Sequence, residues 1–212
     1  MAKCVIFCAS ELNTPIFPMD AEDFIIAADG GLTHTQRLGL TPNLILGDFD
    51  SLGYTPEGAQ VFPVEKDDTD AMLAIKQGLS LGYREFLLYG CLGGNRLDHT
   101  LANLQALQYL SDHGAFGYLV GSHQIATVIQ GEFLQFSAAA RGILSVFCMG
   151  SDCQDVTLQG LKYPLDQGTL TSGFPLGVSN HFTRKPATVS AAGSLLCLWD
   201  RKNGLPQGRA KL

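Results

Sequence analysis

The sequence predicts an α/β N-terminal domain with a mostly parallel sheet, followed by an all-β C-terminal domain. Over residues 1–122, short apolar runs alternate with helix-like segments, whereas residues 123–212 contain strand-like runs with no convincing helical period. A chain of 212 residues is long enough for two small domains that each bury a core. We therefore predict domains at residues 1–122 and 123–212.

The apolar runs of the first domain are short, rich in β-branched or aromatic residues, and mostly end in Gly or Asp: 4–10, 24–31, 43–49, 85–90 and 117–121. A helix is expected to begin near Thr69, with Asp68 or Thr69 as its N-cap. A second helix is expected over residues 98–111, with an apolar stripe made of Leu101, Leu104, Ala106, Leu107 and Leu110. Strands that alternate with helices in this way predict a mostly parallel sheet covered on both faces.

The runs of the second domain are separated by Gly-rich or Asp-rich turns. Leu134 and Phe136 alternate with polar neighbours, and so do Val156 and Leu158. This alternation is typical of an antiparallel all-β unit. Trp199 lies in an apolar run near the C-terminus and is expected to belong to a core strand.

Composition excludes several classes of protein. A net charge of −6 argues against binding to a nucleic-acid backbone, which needs a basic face. Six cysteines without a CxxC pair argue against a disulfide framework or a zinc site. The apolar run at residues 4–9 is too short for a signal peptide or a membrane span, so we expect a cytoplasmic protein without a membrane partner.

The first chemical motif is GDFDS at residues 47–51, which follows a predicted strand. If the strand continues through the motif, Asp48 and Asp50 point to the same side and Phe49 points to the core. Two carboxylates about 4 Å apart repel by about 4 kcal/mol near a protein surface, so such a pair implies a cation or a shared proton. Oxygen ligands without nearby His or Cys favour Mg2+. The alternative is a pair of turn aspartates without a partner.

The second motif is KDDTD at residues 66–70, where the Thr69 helix begins. The helix dipole accounts for one acidic residue in a first turn but not for three. If this helix start faces the first motif, Asp70 can join Asp48 and Asp50 around a metal, and Lys66 can bind phosphates.

Two further motifs follow predicted strands. Residues 90–107 contain a glycine-rich turn that leads into a helix, an arrangement that binds phosphates, although it lacks the P-loop ending. Arg96 on this turn can pair with a phosphate, and Asp98 adds an acidic group, whereas a hydrogen bond at the helix start is the expected role of His99. In residues 27–31, an aspartate is followed by two glycines that allow close backbone approach. One sheet would bring all four motifs to a single edge, and this convergence favours a functional site.

The ordered set ADGG (28–31), GDFDS (47–51), KDDTD (66–70), RLDH (96–99) followed by Asn103, and GVSN (177–180) resembles the thiamine pyrophosphokinase family. The resemblance implies transfer of a diphosphate group from ATP to the hydroxyl of thiamine, with release of AMP. It also implies an N-terminal ATP-binding catalytic domain, a β-sandwich-like thiamine-binding domain, and a homodimer with active sites between subunits. In this family a glycine pair directly precedes the arginine, whereas Asn95 intervenes here, so the loop that carries Arg96 is expected to be longer.

The resemblance implies a role for each residue that matches a family motif. The Mg2+ ligands are expected to be Asp48, Asp50 and Asp70. Catalytic roles are expected for Asp98, Asp70 and Arg96. ATP is expected to contact Asp29, Gly30, Gly31, Lys66 and Arg96. Thiamine is expected to contact Thr69, Asp98, Ser179 and Asn180.

Two other hypotheses compete with this one. GDFDS could be the nucleophile motif of an aspartyl-phosphate phosphatase, but that mechanism places its aspartate pair after the first strand. A non-catalytic thiamine or nucleotide sensor could keep the same pocket, but a binder does not need four acidic groups. Formation of AMP from ATP, Mg2+ and thiamine would distinguish the kinase from both.

Overall fold

The computed structural model describes residues 2–13, 15–50 and 52–212. The chain folds into two compact units, Met1–Ser122 and His123–Leu212. Buried apolar side chains form a core in each unit. Within the described ranges, no helix is long and apolar enough to cross a membrane.

The first unit contains a parallel sheet with the strand order β4-β3-β2-β1-β5-β6. Its strands are β1 (Cys4–Phe7), β2 (Phe24–Ala28), β3 (Leu44–Gly47), β4 (Gln60–Val61), β5 (Glu85–Tyr89) and β6 (Phe116–Val120). All four residues of the central strand β1 are completely buried, which explains why its sequence is continuously apolar.

Three helices accompany this sheet: α1 (Gly31–Arg37), α2 (Asp70–Ser80) and α3 (Leu97–Asp112). Thr69 is the N-cap of α2, since its Oγ1 accepts a hydrogen bond from the Met72 backbone N–H at 3.2 Å. The expected buried stripe of α3 is wrong at Leu101, which is 55% exposed. The C-terminal half of the helix packs against the core, whereas its first turn does not.

The sequence prediction did not include α1 or β4. The seven residues of α1 begin without a side-chain cap, and β4 has only two residues, so neither carries a strong sequence pattern.

Strand β1 is the point at which the order of strands across the sheet reverses, while all strands stay parallel. Strands β2, β3 and β4 extend the sheet on one side of β1, whereas β5 and β6 lie on its other side. In open α/β sheets, ligands bind outside the carboxyl ends of the strands at such a reversal. The fold therefore directs attention to the residues that follow β1, β2, β3 and β5.

The second unit is antiparallel in all of its described strand pairings. Its elements are β7 (Gln124–Phe136), β8 (Ile143–Cys148), β9 (Cys153–Gln159), β10 (Leu165–Leu170), β11 (Asn180–His181), β12 (Ala187–Asp200), the 3₁₀ helix η1 (Arg201–Asn203) and β13 (Gly208–Lys211). Hydrogen bonds join these strands into one antiparallel sheet, so the sandwich-like arrangement of the unit stays a prediction.

The long strand β12 organises this unit. One of its edges pairs with β7, with a register shift between Ala191 and Ser194, and the other edge is shared by β9 and β8. Trp199 is fully buried near the end of β12 and packs edge-on against Phe136 with ring centroids 5.3 Å apart. Its indole N–H donates to the Gly204 carbonyl at 2.9 Å, so the tryptophan serves the core, as its sequence context indicates.

Candidate active site

A cavity of about 240 Å³ lies at the carboxyl ends of the strands in the first unit. Its walls come from the residues after β1, β2, β3 and β5, the start of α2 and one face of α3. The polar residues that line it are Ser10, Asp29, Asp48, Lys66, Asp68, Thr69, Asp70, His99 and Asn103. All four of the predicted motifs therefore meet at one cavity.

A tight turn, rather than a continued strand, brings Asp48 and Asp50 together. Strand β3 ends at Gly47, and Phe49 adopts a left-handed backbone conformation with φ 59° while its ring is buried. The Asp50 backbone N–H donates to Asp48 Oδ1 at 3.3 Å. The expectation that β3 continues through the motif is wrong, although the two carboxylates do converge because the turn folds the chain back.

Asp29 completes a cluster with this pair. One carboxylate oxygen each from Asp29, Asp48 and Asp50 lies within 4.8 Å of the others. Asp29 is 8% exposed and has φ 48°, and its backbone N–H donates to the Leu46 carbonyl at 2.8 Å. Neighbouring parallel strands β2 and β3 therefore hold the cluster from both sides.

Two glycines in these motifs meet packing requirements. Gly47 has φ 148°, and a Cβ at this position would lie 3.0 to 3.1 Å from atoms of Asp29. The glycine therefore allows the two strand ends to approach. A Cβ on Gly31 would lie 1.9 Å from the Phe7 carbonyl oxygen, so α1 could not pack against β1. Gly30, the other expected ATP contact in this motif, is the N-cap of α1.

Lys66 joins the acidic cluster to α2. Its ammonium lies 2.5 Å from Asp48 Oδ2 and 3.2 Å from Asp70 Oδ1. Burial alone would raise the pKa of Asp48, but the hydrogen bond and positive charge of Lys66 outweigh it and lower that pKa. Burial would likewise lower the pKa of Lys66, yet its two acidic partners raise it. The lysine and Asp48 are therefore held in their charged forms.

Asp70 has a different environment from the one expected. Burial raises its pKa, the Lys66 contact opposes that rise, and the nearby charges of Asp48 and Asp29 add to it. Within the described residues, the cluster that could hold a metal contains Asp29 and not Asp70. The expected ligand set of Asp48, Asp50 and Asp70 stays a prediction, and in this structure Lys66 lies between Asp70 and Asp48.

The donor set suits a hard divalent cation. Three carboxylate oxygens within 4.8 Å of one another, without a nitrogen or sulfur donor in the group, match the preferences of Mg2+. Asp29, Asp48 and Asp50 would hold such an ion, and Asp70 lies beyond Lys66.

Arg96 and Asp98 are paired with each other outside the cavity. The guanidinium donates to both carboxylate oxygens of Asp98, with Nη2 at 2.7 Å from Oδ2, and both side chains are exposed. The hydrogen bond from Arg96 lowers the pKa of Asp98 to about 2. Neither residue lines the cavity in this structure.

His99 and Asn103 face the cavity from α3 instead. They are four residues apart and lie on the same side of the helix. Asn103 is buried, and its Nδ2 donates to the Cys91 carbonyl at 2.8 Å. The sequence analysis gave His99 only a helix-start role and gave Asn103 none, although their i, i+4 spacing was a signal that could have identified this face.

In the second unit, Asn180 has a structural role. Its Nδ2 donates to the Tyr163 carbonyl at 2.7 Å, and its Oδ1 accepts from the backbone N–H groups of Tyr163 and His181, each at 2.9 Å. Asn180 also lines a mainly apolar cavity of about 370 Å³ together with Tyr163, Leu176 and Val178. Asn180 therefore shapes this cavity by fixing its backbone.

Ser179 stands beside this cavity in a left-handed conformation with φ 61°. Its backbone N–H donates to Ser145 Oγ at 3.0 Å, while its residue surface is exposed. Ser179 is thus fixed through its backbone and presents its hydroxyl to solvent.

Two family profiles match this chain in sequence. Residues 18–116 match the catalytic domain of thiamin pyrophosphokinase, and residues 135–196 match the vitamin B1 binding domain of thiamin pyrophosphokinase. The chain belongs to the thiamin pyrophosphokinase family. The acidic cluster falls within the catalytic match, and the Asn180 cavity falls within the vitamin B1 binding match.

Individual thiamin pyrophosphokinases agree with this assignment. A thiamine pyrophosphokinase of Bacillus subtilis is 27% identical over 188 residues, covering 84% of this chain and 87% of the relative. The crystal structure of thiamine pyrophosphokinase from Bacillus subtilis superposes with a TM-score of 0.80 at 24% identity, covering 93% of this chain and 98% of that one. The thiamin pyrophosphokinase from Candida albicans shares the fold with a TM-score of 0.73 at 14% identity, covering 94% and 88%.

Proposed function

We propose that this chain transfers a diphosphate group from ATP to the hydroxyl of thiamine, giving thiamine diphosphate and AMP. The observation that carries the proposal is the carboxylate cluster of Asp29, Asp48 and Asp50 inside the part of the chain that matches the catalytic domain. The match of residues 135–196 to the vitamin B1 binding domain supports thiamine as the second substrate.

The reaction forms a bond between the thiamine oxygen and the β-phosphorus of ATP, breaks the bond from that phosphorus to the α-phosphate oxygen so that AMP leaves, and releases the hydroxyl proton to solvent. Charge spreads over phosphate oxygens in the transition state, so positioning and cation stabilisation supply most of the catalysis. A bound Mg2+ ion would neutralise part of the phosphate charge. Asp29, Asp48 and Asp50 would hold it, and Lys66 provides a positive charge of the cavity itself.

Asp98 is better suited to orient the thiamine hydroxyl than to deprotonate it. The Arg96 hydrogen bond holds the pKa of Asp98 at about 2, so this carboxylate is a weak proton acceptor at neutral pH. We propose that Arg96 contacts phosphate only after it exchanges Asp98 for a phosphate oxygen, which is compatible with the exposure of both side chains.

Thiamine recognition is assigned to the second unit. The cavity beside Asn180 is mainly apolar and bordered by Tyr163, a surface suited to a flat ring. Ser179 would add a hydroxyl contact, and Thr69 would approach thiamine from the first unit. We further propose a homodimer in which each active site takes these groups from two subunits, and a cytoplasmic location.

The product of ATP decides among the candidate functions. Purified protein incubated with ATP, Mg2+ and thiamine should form AMP and thiamine diphosphate in equal amounts, measured by chromatography. Inorganic phosphate without AMP would indicate the phosphatase, and unchanged ATP in the presence of bound thiamine would indicate the sensor. Omission of thiamine is the control, and it should prevent AMP formation.

A further inference from the structure

Lys66 lies where negative charge is concentrated. Its side chain is 12% exposed, and those of its partners Asp48 and Asp70 are 10% and 23% exposed. Of the described residues that line the cavity, Lys66 is the one lysine or arginine. Its ammonium therefore offsets part of the negative charge of the cavity from within.

A further acidic residue of this segment, Asp68, has its own partner. Asp68 binds Lys76 at 2.6 Å on the outer side of α2, where the lysine side chain is 43% exposed. Asp29 and Asp50 belong to the carboxylate cluster that Asp48 shares with them. Lys66 consequently faces the cluster alone among the lining cations, and Asp48 is the member that it contacts.

Asp48 cannot bind both the Lys66 ammonium and a divalent cation equally well. Its Oδ2 accepts the Lys66 hydrogen bond at 2.5 Å, and its Oδ1 accepts the Asp50 backbone N–H at 3.3 Å. A divalent cation bound by Asp29, Asp48 and Asp50 would need an oxygen of Asp48 and would repel the ammonium at short range. Binding of the ion is therefore coupled to the position of Lys66.

We propose that Lys66 is an exchangeable counterion of the metal site: it binds Asp48 in the metal-free protein and leaves Asp48 when a divalent cation binds. This proposal rests on the metal site of the proposed function. Lys66 also contacts Asp70 at 3.2 Å, and this second partner would hold the ammonium at the cavity after the exchange. The flexible four-carbon side chain of a lysine allows such a movement. Released from Asp48, the ammonium can bind the phosphate groups of the substrate.

The exchange makes Lys66 a competitor of the ion that the cluster binds. Removing its charge should strengthen binding of Mg2+ to the protein without nucleotide, whereas a residue needed only for folding would weaken it. This gain of affinity distinguishes the counterion role from a structural one.

Isothermal titration with MgCl2 alone tests the proposal. We expect Lys66→Met to lower the Kd for Mg2+ by about tenfold or more relative to the unmodified protein. Lys66→Arg retains the charge and should keep the Kd within about twofold to threefold. Lys76→Met, which removes a lysine of the same segment that pairs outside the cluster, is the matched control and should leave the Kd unchanged.

Thermal unfolding gives a second measurement. Lys66→Met should lower the Tm of the metal-free protein, because Asp48 and Asp70 lose their shared cation, and should enlarge the increase in Tm caused by Mg2+. If this variant does not fold, ¹⁵N NMR of lysine side chains in the unmodified protein takes its place. The Nζ signal of Lys66, assigned by its loss in Lys66→Arg, should shift on addition of Mg2+, and the Lys76 signal should not.

The outcomes separate this inference from the proposed function. Equal or weaker Mg2+ binding by Lys66→Met, or an Nζ signal unmoved by Mg2+, would overturn the counterion role even if AMP is formed. Absence of Mg2+ binding by both proteins would also overturn it. Absence of AMP from a protein that shows the expected gain in Mg2+ affinity would contradict the proposed function and leave the counterion role standing.

Discussion

The side-chain amide of Asn180 is bonded on both of its ends to the backbone of Tyr163, donating at 2.7 Å and accepting at 2.9 Å. This pair of bonds connects strand β11 to the loop before β10 and fixes one wall of the apolar cavity. The residue expected to contact thiamine is therefore also the residue that shapes its proposed site.

The first prediction follows from this relationship. Asn180→Ala would leave the Tyr163 N–H and carbonyl without their partner, so we expect a loss of about 1–3 kcal/mol in the free energy of unfolding. Thiamine binding should weaken strongly while ATP binding stays within about twofold, since the two cavities belong to different units. Calorimetric titration with each ligand and thermal unfolding measure these effects.

Ser179→Ala is the control for Asn180→Ala. It keeps the backbone bond to Ser145 and removes only an exposed hydroxyl, so stability should change by less than about 0.5 kcal/mol. A contact between Ser179 and thiamine would then appear as a loss of thiamine affinity without a change in Tm. Equal losses of ATP and thiamine binding in Asn180→Ala would contradict the division of substrates between the units.

The second prediction distinguishes Asp48 from Asp50. Both Asp48→Asn and Asp50→Asn should lower the rate of AMP formation by about a hundredfold or more, because each removes a charged ligand of the cluster. Asp50 is exposed, so its replacement should leave the stability of the metal-free protein unchanged. Asp48→Asn should lower the Tm, because Lys66 loses a charged partner at 2.5 Å.

Steady-state assays at saturating Mg2+ and thermal unfolding without metal provide the measurements. Asp20→Asn is the matched control, since Asp20 pairs with Lys3 and lies outside both the cluster and the cavity. Near-normal turnover of either cluster variant would remove the metal site from the mechanism.

The third prediction concerns the pKa of Asp98. The Arg96 hydrogen bond lowers this pKa to about 2, so the carboxylate should stay ionised when the pH falls from 7 to 3. Arg96→Gln should return the pKa towards about 3.9, the ordinary value for aspartate, and Asp98 should then become half protonated near that pH. Carboxyl ¹³C NMR during the titration measures the change.

Arg84→Gln is the control, because Arg84 donates to the carbonyls of Leu79 and Tyr83 and contacts no acid in its described hydrogen bonds. An unchanged Asp98 titration in Arg96→Gln would show that the pair does not persist in solution. In that case Arg96 would already be available for phosphate, and Asp98 would regain its ordinary basicity.

The fourth prediction concerns the proposed homodimer. If each active site takes its acidic cluster from one subunit and its thiamine contacts from the other, inactive Asp50→Asn and Asn180→Ala proteins should complement each other. One site of the mixed dimer would carry both substitutions and the other site would carry neither. Activity should therefore approach a quarter of the unmodified level for a random mixture, about half of whose dimers are mixed.

AMP formation after exchange of subunits measures the recovery, and mass spectrometry of the intact dimers verifies the exchange. Each variant mixed with unmodified protein is the control for the exchange conditions. A mixture that exchanges subunits but stays inactive would show that each site is built from one chain.

The sequence by itself determined where chemistry is concentrated. Motifs at the ends of β2, β3 and β5 were recognisable because aspartates and glycines directly follow apolar runs, and parallel strands bring such ends to one edge. Local sequence also limited the N-cap of α2 to Asp68 or Thr69, since an N-cap bond spans only three residues, and the structure selects Thr69. These features depend on neighbours along the chain.

The tertiary structure decided which of those residues meet. Asp29 joins Asp48 and Asp50 because adjacent strands approach across Gly47, and Lys66 separates Asp70 from them. These contacts depend on distances between segments that are far apart in sequence. The order of the motifs along the chain does not give those distances. The sequence therefore determined the kind of site, whereas packing between strands and helices decided which carboxylates come together.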